Sequence, residues 1–156
     1  MVISRQGDNG VSIKTKTETV TIGDGVQIGS FKIPGAGEYD VATIQCEAQN
    51  LAKATVYFIR SEELTVVFLS EVDTDVTKVD DASNTDILIV DLRSDTDVAD
   101  LKSVLKVLEP GYLLLTGSKA DASFLSTLGL PAYESSTLKV SRTSLPMEGT
   151  QLVPVD

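Results

Sequence analysis

The side chains able to do chemistry in this chain are carboxylates, hydroxyls and one thiol, because histidine is absent. Imidazole is the side chain that titrates unperturbed near neutral pH and the commonest zinc ligand. Its absence excludes a Ser-His-Asp triad, so Ser70 and Ser118 lack the base that would activate them. Lys119 beside Ser118 leaves a Ser-Lys dyad formally open, although helix capping explains Ser118 equally well. Cys46 has no second cysteine to pair with and sits among alternating apolar residues, which reads as a buried structural thiol.

Acids crowd between Glu71 and Asp100. Asp73, Asp75, Asp80 and Asp81 offer oxygen ligands to a hard cation, but an EF-hand's central glycine and terminal glutamate are missing, and a solvated acidic loop is the favoured reading. Glu38 and Glu71 form an acid and base pair if the fold brings them together. Gly35-Ala36-Gly37 lacks the Lys-Ser/Thr of a phosphate loop and opens no helix, so it reads as a tight turn before a strand. In that reading Gly35, Gly37, Glu38 and Tyr39 are structural, with Glu38 accepting backbone N–H bonds.

The elements that must position these residues follow from periodicity. The first half reads as strands: 2–5 and 11–16 around the turn 7–10, then 19–22, 26–33 and 41–48, then a hairpin of 55–60 and 64–69 around Ser61-Glu62-Glu63. The second half changes character. Ile87 to Val90 and Tyr112 to Leu115 are short apolar runs suited to strands buried on both faces. Val98, Leu101, Val104, Leu105 and Leu108 have helical spacing, with Ser94 and Asp97 placed as a capping box and Pro110-Gly111 as the stop, which predicts a helix over 94–109. A second, shorter helix is predicted over 118–128, started by Ser118 and Asp121 and closed by Gly129 and Pro131. Strands at 138–140 and 151–155 close the chain. Its 156 residues suit one domain over 1–156, without an interdomain linker.

Several stretches, in order, resemble the metallo-β-lactamase superfamily, in particular its small lactonase-like hydrolases. Ile33-Pro34-Gly35-Ala36-Gly37-Glu38-Tyr39-Asp40-Val41 is similar to a Gly-Pro-Gly-Glu-Tyr-Glu-Val segment of that group. Tyr57 to Arg60, a charged turn, and Val66-Val67-Phe68-Leu69-Ser70-Glu71 resemble its hairpin ending in His-Leu-Gly-Asp. The run 86–90, the helix ending at Pro110 and the strand after it resemble its β-α-β unit, and Lys139-Val140, Leu145-Pro146 and Gly149-Thr150 its closing strands. The resemblance implies an α+β fold, a truncated αββα sandwich that is predominantly β with about two helices.

It also implies where metal ligands would stand. The family's His-x-His-x-Asp-His loop has no counterpart, Phe68 stands in place of a ligand histidine, and Glu71 in place of the bridging aspartate. Thr116-Gly117-Ser118 replaces a Pro-x-His stretch. The vestigial-site candidates are therefore Phe68, Ser70, Glu71, Asp91, Thr116 and Ser118, with no catalytic, cofactor or metal residue among them. Two functions remain. One is a non-catalytic structural or protein-interaction module, a pseudoenzyme without zinc-dependent hydrolase activity or cofactor. The other is a metal-independent hydrolase or small-ligand binder reusing the former cleft through Glu38, Glu71 and Asp91.

Composition adds the company this chain keeps. With 13 basic against 23 acidic residues, a net charge of -10, it repels nucleic acid and anionic membranes. The opening residues have neither the apolar run of a signal peptide nor that of a membrane span, which predicts a cytoplasmic protein. Because the first half offers strands and turns but no covering helix, 41–48 and 55–69 are expected to leave a sheet face or edge bare, away from the acids after Glu71. That predicts a homo-oligomer or a protein partner joined through first-half strands, with the acidic segment facing solvent.

Overall fold

A computed structural model describes the whole chain except Asp8, Arg93, Ser94, Val155 and Asp156. The chain opens with an antiparallel meander: β1 (Val2–Gln6), β2 (Gly10–Lys14), β3 (Thr19–Gly23), β4 (Gly25–Ile28) and β5 (Phe31–Lys32). It then crosses to a second sheet, formed by β6 (Gly37–Val41), β7 (Ile44–Asn50), β8 (Thr55–Ser61), β9 (Leu64–Leu69), β10 (Ile87–Asp91) and β11 (Tyr112–Thr116). α1 (Val98–Leu108) joins β10 to β11, and α2 (Ala122–Thr127) follows β11. Near the end, β12 (Leu138–Lys139) returns to the first sheet beside β1, and β13 (Gln151–Leu152) to the second beside β11. Strands β9, β10, β11 and β13 run parallel, and the rest of the second sheet is antiparallel.

Strand alternation divides the core in two. Ile3, Ile13, Val20 and Ile28 of the first sheet meet Ile44, Ile59, Val66, Phe68, Ile89 and Leu114 of the second. The opposite parity of the second sheet, Phe58, Val67, Leu69, Leu88, Val90, Leu113 and Leu115, packs under Leu101, Val104 and Leu108 of α1 and Phe124 of α2. The outer face of the first sheet presents Ser4, Lys14, Thr21 and Gln27, and its connections are too short to hold a helix. The described residues thus stack as sheet, sheet and helices, an α+β sandwich with the helix layer over the first sheet missing.

Several boundaries differ from the sequence reading, each for a local reason. The stretch 26–33 is two strands, because Gly29 turns the chain at φ +58°. The stretch 41–48 is broken at Ala42-Thr43, both in the left-handed region at φ 50° and 65°, so Val41 ends β6 and Ile44 begins β7. Asp97 caps α1, its Oδ1 accepting the N–H of Ala99 at 2.9 Å, while Ser94 lies outside the described residues. α2 begins four residues after Ser118, since Asp121 accepts the N–H of Phe124 at 2.8 Å and Ser118 stays in the preceding turn. The strand expected over 151–155 is described only to Pro154 and is regular at Gln151–Leu152.

The expectation of a bare face over 55–69 fails. Val56, Phe58, Val67 and Leu69 are buried under the helical layer, and Tyr57, Ile59, Val66 and Phe68 against the first sheet. What stays open in the first half are the edges of β5 and β6, and the β6 edge carries acids of its own, Glu38 and Asp40.

Candidate functional site at the strand ends

Parallel strands present their carboxyl ends together, the usual place for a ligand in such sheets. Here Val90 pairs with Leu69 and Asp91 with Thr116, so the inner-face positions at the rim of the hydrophobic core are Phe68, the last core residue of its strand, and beyond it Ser70, Asp91 and Thr116. The first sheet closes over them with Gly7, Asn9 and the Gly23-Asp24-Gly25 turn. Between the two lies an open cleft of about 380 Å³, lined by Asn9 and Asp24 on one wall and by Phe68, Ser70, Asp91 and Ser118 on the other. An adjoining hollow of about 390 Å³ shares Asn9 and Ser118 and adds Arg5 and Thr116.

The structure therefore gathers five of the six sequence candidates and leaves out one. Glu71 lies two residues past Leu69, with the parity of the helix-facing residues, and does not line the cleft. Nor does Glu38. Its register mates run Glu47, Phe58, Val67, placing it three strands from β9, about 14 Å across the sheet. The acid and base pair from Glu38 and Glu71 is not formed, and Asp91 is the one member of the Glu38, Glu71 and Asp91 set that faces the cleft.

Three of the cleft residues, Phe68, Ser70 and Thr116, have a structural tie. Phe68 is 2% exposed and stacks on Tyr57 with ring centroids 5.7 Å apart, forming an apolar floor. Ser70 accepts the N–H of Thr55 at 2.9 Å. Thr116 is buried, with its hydroxyl 3.5 Å from the Val90 carbonyl. Gly117, at φ +93°, lets the chain fold back onto Asp91: a Cβ there would run into the Asp91 carboxylate and the Leu92 carbonyl. Sequence reasoning missed Arg5. It shares the inward parity of Ile3, and its guanidinium donates to the carbonyls of Pro154 at 2.6 Å, Val153 at 3.0 Å and Leu115 at 3.2 Å, tying the first sheet to the second beside the cleft. An arginine at an inward position of an alternating strand was the available signal.

The remaining sequence candidates resolve as scaffold. Tyr39 closes the Gly35–Gly37 turn, its phenol donating to the Gly35 carbonyl at 2.9 Å, so the turn is held by Tyr39 and not by the exposed Glu38. Within the acidic run, Asp73 is buried and accepts the N–H groups of Lys53 at 2.7 Å, Asp75 at 3.0 Å and Ala54 at 3.1 Å. Asp80 and Asp81 are exposed. Among the described residues no group of three acidic or thiol side chains is placed to hold a metal ion. Cys46 is buried between the sheets, and burial, with Glu47 adding against the opposing charge of Arg60, pushes its thiol up to about 11. A larger groove of about 750 Å³ lies at the opposite strand ends, around the Arg142–Asp86 pair at 2.9 Å, where Lys102 and Lys106 of α1 offset Glu109 and Glu148.

Set beside solved structures, this arrangement of sheets has a counterpart in a protein from Thermotoga maritima that carries the provisional description of a Zn-dependent hydrolase of the metallo-β-lactamase superfamily. The match covers 97% of each chain with a TM-score of 0.71 and 16% sequence identity. This chain has the metallo-β-lactamase fold. No family model matches its sequence, and no curated protein matches it. The likeness reaches the fold and stops short of the chemistry. A catalytic zinc of this fold wants imidazole nitrogens or thiolates around an open position. The strand ends here supply an apolar ring, hydroxyls and the carboxylates of Asp24 and Asp91, and the thiol is held in the core. That donor set does not fit a hydroxide-generating zinc.

Proposed function

We propose that the chain is a non-catalytic, protein-binding module built on the metallo-β-lactamase fold, working without a cofactor. The observation that carries this reading is the inner-face row Phe68, Ser70, Asp91 and Thr116 at the ends of the parallel strands. It keeps the scaffold of a hydrolytic site and puts a stacked phenyl ring and two backbone-tied hydroxyls where ligands would have to converge. Association with another protein or a second copy belongs to the reading, and so does a cytoplasmic location. The single unpaired thiol suits a reducing compartment, and no helix among the described residues is long and apolar enough to cross a membrane.

The test is elemental analysis of protein purified without an affinity tag, together with assays on lactone, thioester and phosphodiester substrates. Well under one zinc per chain and no turnover are expected. Stoichiometric zinc, lost together with a hydrolase activity in Asp91→Asn, overturns the reading.

One observation favours a second reading. The cleft of about 380 Å³ is polar on both walls, through Asn9 and Asp24 facing Ser70, Asp91 and Ser118, which suits a small polar ligand taken without metal. A ligand-dependent rise in melting temperature that disappears in Ser118→Trp would select it.

A further inference from the structure

We infer that the free edge of β6 docks a basic, extended segment of another protein, which adds a strand to the second sheet. This rests on the interaction-module reading above and names its surface and partner.

β6 is the last strand of its sheet, pairs on one side only, with β7, and leaves Gly37, Glu38 and Asp40 exposed. The turn at its end fixes which backbone groups are free. Ala42 and Thr43 form a two-residue hairpin turn with both φ values positive, and the pair flanking such a turn, Val41 and Ile44, is hydrogen-bonded. Alternation then makes Tyr39–Cys46 a bonded pair and Asp40–Gln45 and Glu38–Glu47 non-bonded pairs. The N–H and C=O groups of Glu38 and Asp40 therefore point away from β7, to the open edge.

The side chains beside those groups set the sign of the partner. Glu38 stands directly across from Glu47, a like-charge pair at the closer of the two cross-strand spacings. Arg60 reaches Glu47 at 3.7 Å, and among the described residues neither Glu38 nor Asp40 has an ion pair. A second copy is a poor occupant. Antiparallel pairing of two β6 edges about Tyr39 sets Glu38 against Asp40 twice over, and a one-step shift sets Glu38 against Glu38. A strand with Lys or Arg at alternate positions reverses every one of these contacts. Its intervening residues would face the inner side, where Tyr39 meets Phe31 with ring centroids 5.9 Å apart and Phe31, on the neighbouring edge of the first sheet, is 42% exposed. The fitting segment alternates basic and apolar residues.

Fluorescence anisotropy with a labelled ten-residue peptide alternating lysine and valine tests this on the full chain. Asp40→Pro removes the outward N–H and no bond to β7, since proline is tolerated on an edge strand whose N–H faces solvent. Glu38→Gln with Asp40→Asn removes the charges and keeps the backbone. The parent should bind the peptide, each variant should weaken it at least ~10-fold with unchanged circular dichroism, and a glutamate–valine peptide should not bind. Equal binding by Asp40→Pro, equal binding of the acidic peptide, or a parent dimer that Asp40→Pro converts to monomer would each overturn the inference. The zinc and hydrolase assays read separately: turnover with peptide binding intact removes the module reading and leaves the edge, whereas inactive protein without peptide binding removes the edge alone.

Discussion

Burial by itself would push the Asp73 carboxyl up, but the backbone N–H groups of Lys53, Asp75 and Ala54, together with the Lys53 charge, outweigh it and hold the group below its ordinary 3.8. A carboxylate whose folded value is depressed adds stability above its unfolded value and loses it as pH falls through the folded one. Asp73→Ala should therefore cost about 3 kcal/mol at neutral pH, from one buried and two partly buried N–H donors left without their acceptor. Asp73→Asn should flatten the fall in stability below about pH 4. Urea titrations from neutral to acid pH check both, and parallel pH profiles for parent and Asp73→Asn would show that the acid loss comes from other groups. At this scale the sequence was legible where parity decides. Phe68 and Ser70 share a face, and the apolar runs at 87–90 and 112–115 bring Asp91 and Thr116 to the same level. It was illegible where burial decides, since Asp73 looks like any other acid in its run, and Glu71 fell on the wrong side of the strand.

Two hairpins turn on pairs without glycine or asparagine; the charged turn at Glu62-Glu63 was legible between its two apolar runs, and the one at Ala42-Thr43 was not. Ala42-Thr43 and Glu62-Glu63 both hold two successive left-handed residues, φ 50° and 65° in one and 55° and 64° in the other. Asn-Gly suits that conformation, whereas Ala and Thr are strained in it. Ala42→Asn with Thr43→Gly should raise stability by about 1 kcal/mol, measured as a shift of the urea midpoint at constant slope. The same exchange at Glu62-Glu63 should gain less. Glu62 also accepts from the N-terminal ammonium at 3.4 Å and from the N–H of Lys16 at 3.2 Å, contacts that hold the first sheet to this turn. Equal gains at both turns would mean those contacts contribute no more than the Thr17–Thr43 hydroxyl contact at 3.3 Å that the first exchange removes. The strands themselves were readable from alternation, and so was the change to a β-α-β unit after Ile87. The split of 41–48 was not, because the turn residues carry no sequence signal of a turn, and tertiary pairing with β6 and β8 imposes the bend.

The molecule as a whole carries its charge on two sheets with one covering helix layer, and among the described residues few acids are held in close ion pairs. A net charge of -10 sits on 156 residues. Lys78–Asp75, at 3.9 Å, is an exposed surface pair, and the half-exposed Arg60–Glu47 pair leaves Glu38 and Asp40 uncompensated. Pairs of that kind add at most a few tenths of a kcal/mol to about one, so long-range repulsion among the remaining acids outweighs them. Repulsion of this type acts over the Debye length, about 30 Å at 0.01 M salt and about 10 Å at 0.1 M, and the first of these is comparable to a domain's width. Raising sodium chloride from ~0.01 M to ~0.2 M should therefore stabilise the fold rather than loosen it. For a chain of this size a gain of about 1 kcal/mol appears as a rise of about 2–4 °C in Tm, read by circular dichroism. A Tm that falls with salt would mean that specific ion pairs, Arg142–Asp86 at 2.9 Å foremost, contribute more to stability than the acidic field takes away.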